Sequence, residues 1–101
     1  MDDGKVRQEI RSQLEGGLKT EAVPRADTPE QVEAISARLR AARSLKEKLV
    51  IAGFELQPFE EGGIEQECKS CVRFAVHRKF CEVPELLLPV EPEWSCRFWR
   101  L

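Results

Sequence analysis

The sequence predicts a small α+β protein, on three observations. Apolar residues recur at helical spacing through the first half of the 101 residues, four cysteines crowd into the last 34, and prolines cut that last region into pieces too short for long strands. The expected architecture is a set of N-terminal helices, one of them long and amphipathic, joined to a C-terminal metal-stapled, strand-poor lobe. Its parts are residues 1–27 (short helix and linker), 28–53 (long helix) and 54–101 (four-cysteine metal-binding lobe), all within one compact domain.

Residues 5–15 fit a short amphipathic helix, because Val6, Ile10 and Leu14 repeat every four residues and Gly16-Gly17 ends the pattern. Leu18–Asp27, with Pro24 inside it, reads as a linker. Thr28-Pro29-Glu30-Gln31 is a helix start. Thr28 is suited to capping, Pro29 to the first helical position and Gln31 to closing a capping box. Val32, Ile35, Leu39, Ala42, Leu45 and Leu49 follow at spacings of three and four, and Gly53 stops the run. One helix of roughly 24 residues, about 36 Å long, is predicted.

Beyond it, Phe54–Phe59 alternates like a short strand ending near Pro58, and Glu60–Glu67 reads as an acidic loop. Val72, Phe74 and Val76 alternate with Arg73, Ala75 and His77, as a strand leaving the Cys-x-x-Cys turn would. Pro84, Pro89 and Pro92 leave Glu82–Glu93 as an irregular wrap, and Trp94, Phe98 and Trp99 surround the last cysteine.

Charged residues make up 34% and hydrophobic ones 42%, the balance of a globular chain rather than a disordered one. No apolar leader follows Met1-Asp2-Asp3-Gly4-Lys5, and no apolar run is long enough to cross a bilayer. A cytoplasmic location and no membrane partner are therefore expected. In a reducing compartment, clustered cysteines favour metal ligation over disulfides.

The spacing Cys68-x2-Cys71-x9-Cys81-x14-Cys96 carries the chemistry. Cys-x-x-Cys sets two thiolates on one tight turn, and two further cysteines complete a tetrahedral shell for Zn2+. Metal binding then supplies folding free energy, on the order of 10 kcal/mol, to a lobe too small to bury a large core. The sole histidine provides an alternative ligand. Cys68-x2-Cys71-x5-His77-x3-Cys81 resembles the CCHC zinc knuckle in ligand order, with the histidine one place late and the knuckle glycines missing. That resemblance implies His77 as a ligand and Cys96 as a spare thiol. The cysteines among Phe74, Phe80, Trp94, Phe98 and Trp99 also look like the setting of a high-potential ferredoxin, which implies an iron–sulfur cluster and electron transfer. Four reduced cysteines acting as small apolar core residues are a further alternative, which the clustering and the Cys-x-x-Cys pair disfavour.

Charge divides along the chain. Residues 1–67 carry ten Lys/Arg against fourteen Asp/Glu, whereas residues 68–101 carry six against four. A tetrathiolate zinc adds −2, which cancels that C-terminal surplus. Lys69, Arg73, Lys79, Arg97 and Arg100, close in sequence to the ligands, are expected to offset the sulfurs. On the long helix, Arg38, Arg40, Arg43, Lys46 and Lys48 form a basic set that is either a solvated face or a nucleic-acid contact. The apolar stripe of the same helix either packs within the chain or pairs with a second copy as a homodimer.

No catalytic constellation is present. The sequence lacks G-x-S-x-G, H-E-x-x-H, a phosphate-binding glycine loop and the deaminase signature, and a shell of four cysteines leaves zinc no open position for substrate. A non-enzymatic, zinc-stabilised binding or regulatory module is expected, of the compact kind found in bacterial and phage genomes. A protein partner is favoured, contacted through the polar face of residues 29–52 or the Glu60–Glu67 segment. The alternatives are a nucleic-acid-binding regulator and an iron–sulfur electron carrier.

Overall fold

The computed structural model describes residues 2–100. Three helices come first: α1 (Asp3–Glu15), α2 (Pro29–Ala41) and α3 (Leu45–Ala52). Five short strands follow: β1 (Phe59–Glu61), β2 (Ile64–Gln66), β3 (Phe74–Ala75), β4 (Phe80–Cys81) and β5 (Leu88–Pro89). β1 and β2 form an antiparallel hairpin, and β3-β4-β5 an antiparallel sheet with β4 in the middle. The α+β class is as expected. The Cα radius of gyration is 12.4 Å, against about 13 Å for a compact chain of this length, so the helices do not extend away from the rest of the chain, and α1 packs on β5.

Local chemistry explains the helix ends. Asp2 caps α1 by accepting from the Gly4 N–H at 2.8 Å. At α2 the capping box forms as predicted: Gln31 N–H donates to Thr28 Oγ1 at 3.1 Å, and Thr28 N–H donates to Gln31 Oε1 at 3.0 Å.

The single helix over 28–53 is corrected. It breaks at Ala42–Ser44 into α2 and α3, and Ala42 takes an extended conformation with ψ 139°. The cause is a second helix start inside the apolar pattern, Ser44-Leu45-Lys46-Glu47. Ser44 Oγ accepts from Glu47 N–H at 3.2 Å, and Glu47 Oε1 accepts from Arg43 N–H at 3.2 Å. The kink folds α3 back against α2.

Three further segments differ from expectation. Phe54–Phe59, expected as a strand, carries only an isolated bridge from Glu55 to Ser95 before β1 begins at Phe59. Glu60–Glu67 is mostly the β1–β2 hairpin rather than a loop, turned by Gly62 and Gly63 at φ 61° and 80°. Two consecutive left-handed residues suit the two-residue hairpin turn that Gly-Gly favours. The Leu18–Asp27 linker packs on the body of the protein. Glu21 N–H donates to Val50 O at 2.9 Å, Thr20 Oγ1 donates to Phe54 O at 2.9 Å, and Arg25 and Ala26 are buried.

One core unites the halves. Ile10 of α1, Ile35 and Leu39 of α2, and Leu49 of α3 meet Leu86, Val90 and Trp94 of the C-terminal region. Each large apolar side chain buried this way contributes about 1.5–3 kcal/mol. The stripe on residues 32–49 is thus buried within the chain: Ile35, Leu39 and Leu49 lie inside, with Val32, Ala42 and Leu45 packed at their edge. The seam that a coiled-coil homodimer would use is already covered. Among the described residues, no helix is long and apolar enough to cross a membrane.

Candidate metal centre

The four cysteines reach one place from three directions. Cys68 and Cys71 bracket a single 3-10 turn, closed by Cys71 N–H donating to Cys68 O at 3.0 Å. The C-terminal segment holds that turn: Cys68 N–H donates to Trp94 O at 2.7 Å, Val72 N–H to Arg100 O at 2.7 Å, and Trp99 Nε1 to Ser70 Oγ at 2.9 Å. Cys81 comes from the central strand β4, opposite Phe74 on β3 and Leu88 on β5. Cys96 follows Ser95, whose backbone pairs with Glu55.

All four line one cavity of about 20 Å³, walled by Phe74, Val83, Val90 and Trp99. None forms a disulfide; Cys68, Cys81 and Cys96 are buried and Cys71 is half-buried. Among the described residues, no group of three or more His, Cys, Asp or Glu is arranged so that it could hold a metal ion as it stands.

The polar environment of the sulfurs repeats a pattern. The backbone N–H two residues on faces the sulfur in three of the four cases. Arg73 N–H donates to Cys71 Sγ at 3.5 Å, while Val83 N–H and Phe98 N–H act on Cys81 and Cys96. Donors aimed at sulfur favour the thiolate. Burial acts in the opposite sense and is the larger effect. It pushes the Cys81 thiol up to about 11 and raises Cys68 and Cys96 as well, and each also feels charge on neighbouring cysteines. Without a cation these thiols stay protonated at neutral pH, and a bound metal would displace their protons.

His77 lies elsewhere. It is exposed in the turn between β3 and β4 and does not line the cavity, whereas Cys96 does. The zinc-knuckle ligand set is not assembled in this fold.

The expected basic neighbours are also mostly turned away. Lys69 pairs with Glu67 at 3.8 Å and Lys79 with Glu91 at 3.3 Å. Arg97 donates to the carbonyls of Pro24 and Ile51, and Arg100 to that of Ala26. Of the five, only Arg73 lines the cavity. The cation the sequence did not single out is Arg25, 71 positions before Cys96, which donates to the Cys96 carbonyl at 2.8 Å. No local signal marks it, because chain folding alone brings it there.

The basic set on the helices is divided by the structure. Arg38 forms a two-pronged pair with Glu21 at 2.8 and 2.6 Å, and Arg40 reaches Glu33 at 3.0 Å and Glu85 at 3.5 Å. Among the described residues, no ion pair engages Arg43, Lys46 or Lys48. The kink also separates Arg38 and Arg40 on α2 from Lys46 and Lys48 on α3, so the five do not share one helix face.

Compared with protein-family models, curated proteins and solved structures, the chain matches none.

Proposed function

We propose that this protein is a non-enzymatic binding module whose C-terminal lobe is held by one zinc ion on Cys68, Cys71, Cys81 and Cys96. The observation carrying this reading is the convergence of these four cysteines, from a turn, a strand and the C-terminal segment, on one small cavity. Four soft sulfurs and no water-bearing position suit a structural zinc. The cavity has room for about one small atom or ion, which favours a single ion over a cluster of several irons and sulfides.

Binding a protein partner is the activity favoured. Val72 and Val76, flanking β3 on the lobe, are 63% and 71% exposed, and Leu87 is 55% exposed with its backbone at φ 48°. A leucine in the left-handed region costs on the order of 1–3 kcal/mol, and such strain collects at functional positions. A nucleic-acid role through the helices is weaker, since Arg38 and Arg40 are already neutralised by carboxylates.

Metal analysis of protein purified without oxygen tests the zinc. One colourless zinc per chain is expected, with Cys96→Ser losing the ion and His77→Ala retaining it. Loss from His77→Ala with retention in Cys96→Ser would reverse the ligand assignment. A brown protein containing iron and sulfide would replace the zinc reading with the cluster.

A further inference from the structure

Arg25 occupies a place where a cation is costly. The residue is 4% exposed, and among the described residues no carboxylate lies within ion-pair distance of it. Its guanidinium donates only to neutral acceptors: Ala22 O at 2.9 Å, Gln66 Oε1 at 2.8 Å and Cys96 O at 2.8 Å. Its face stacks on the Phe59 ring at 3.8 Å, and its Nε has no hydrogen-bond partner. Arg97, equally buried, differs in having Glu21 at 3.6 Å. A guanidinium keeps its charge at any pH a protein survives. A buried ion without a counter-ion is strongly destabilising, so a fold that keeps one has its opposite charge close by.

We infer that Arg25 is the built-in counter-charge of the metal centre, compensating the −2 that four thiolates leave around Zn2+. The inference rests on the zinc reading above and goes beyond it by naming the group that makes the anionic site tolerable inside the core. Burial depresses the guanidinium pKa; a charged Cys96 sulfur, as metal binding would leave it, opposes that depression most, ahead of the Glu61, Glu55 and Asp27 carboxylates, which lie beyond ion-pair distance. Arg25 also joins three segments. Ala22 belongs to the N-terminal connection, and Phe59 and Gln66 face each other across the β1–β2 hairpin. Charging the site therefore strengthens the attachment of the acidic hairpin and of residues 18–27 to the lobe.

Cobalt(II) titration followed by zinc competition tests this on the full chain, comparing wild type with Arg25→Met and Arg25→Lys. Met removes the charge and keeps the bulk; Lys keeps the charge and loses the fork. The Met variant should bind metal roughly 10- to 100-fold more weakly, the range for losing a group that supports the ligands. Its sulfur-to-cobalt charge-transfer band should move to longer wavelength, because sulfurs relieved of a nearby cation give up electrons more easily. The Lys variant should stay within a few-fold of wild type, with an unshifted band. Unchanged affinity in Arg25→Met, or equal weakness in both variants, would overturn the inference while leaving the zinc reading intact. If Arg25→Met does not fold at saturating metal, Arg25→Lys decides alone: near-wild-type binding supports the inference, and weak binding overturns it. A wild-type protein without thiolate–cobalt bands would sink the zinc reading itself, and the role of Arg25 with it.

Discussion

Gly53 shows how a single residue can be required by both conformation and space. It ends α3 at φ 66° and ψ 40°, where a side chain is strained. A Cβ there would also lie 2.8 Å from Ala22 Cα and meet the Glu21 carbonyl, so the chain from 18 to 27 packs against this glycine. Gly53→Ala is expected to cost at least the roughly 1–3 kcal/mol of left-handed strain, read as a lower urea midpoint. Gly63 has the same sign of φ, at 80°, but nothing within 4 Å of its would-be Cβ. Gly63→Asn should change the midpoint little, since Asn tolerates such turns. Equal effects at the two positions would mean that close approach to residues 21–22 is unimportant.

The break between α2 and α3 matters most among the elements. It turns one amphipathic pattern into two helices that enclose the core from adjacent sides, and it depends on the Ser44–Glu47 cap. Ser44→Ala should cost about 1 kcal/mol, measured by denaturant unfolding. If Ser44→Ala instead proved neutral, the kink would have to be held by core packing alone. Arg38–Glu21, which ties α2 to the preceding connection, is half exposed on the arginine side. Pairs of that kind contribute about 0–1 kcal/mol, so Arg38→Ala should be milder than Gly53→Ala.

For the molecule as a whole, the cysteines and the helices share one core: Cys68, Cys81 and Cys96 belong to the same buried cluster as Ile10, Leu39 and Leu49. On the proposed zinc reading, a chelator should therefore lower the melting temperature of the helical signal, not only that of the lobe. Helical melting indifferent to chelation would contradict the zinc staple. Acid should act through carboxylates. The bond from Arg78 holds Asp3 below its ordinary 3.8, and the bond from Arg38 holds Glu21 below 4.5. Burial would raise Glu91, but Arg11 and Lys79 outweigh it and leave it low. Groups depressed in the folded state stabilise it above their ordinary values, and that contribution fades as pH falls through the folded ones. Melting temperature should drop below about pH 4.5, and Glu21→Gln should flatten part of the drop.

Local patterns in the sequence determined the α+β class, the Thr28 cap and the Gly16 and Gly53 stops, and they singled out the four cysteines that line one cavity. These are decided by neighbours a few residues apart, and short-range sterics and hydrogen bonding are legible in order. The Ser44–Glu47 cap and the Gly62–Gly63 turn were equally local; a longer apolar repeat and a run of glutamates masked them. What only the tertiary structure decided is what distant segments do to each other. It brings Cys96 rather than His77 to the cavity, buries the helix stripe against Leu86, Val90 and Trp94, and sets Arg25 behind Cys96. Of the basic residues expected near the sulfurs by sequence proximity, Lys69 and Lys79 pair with carboxylates and Arg97 and Arg100 bind carbonyls of distant segments, which leaves Arg73 at the cavity.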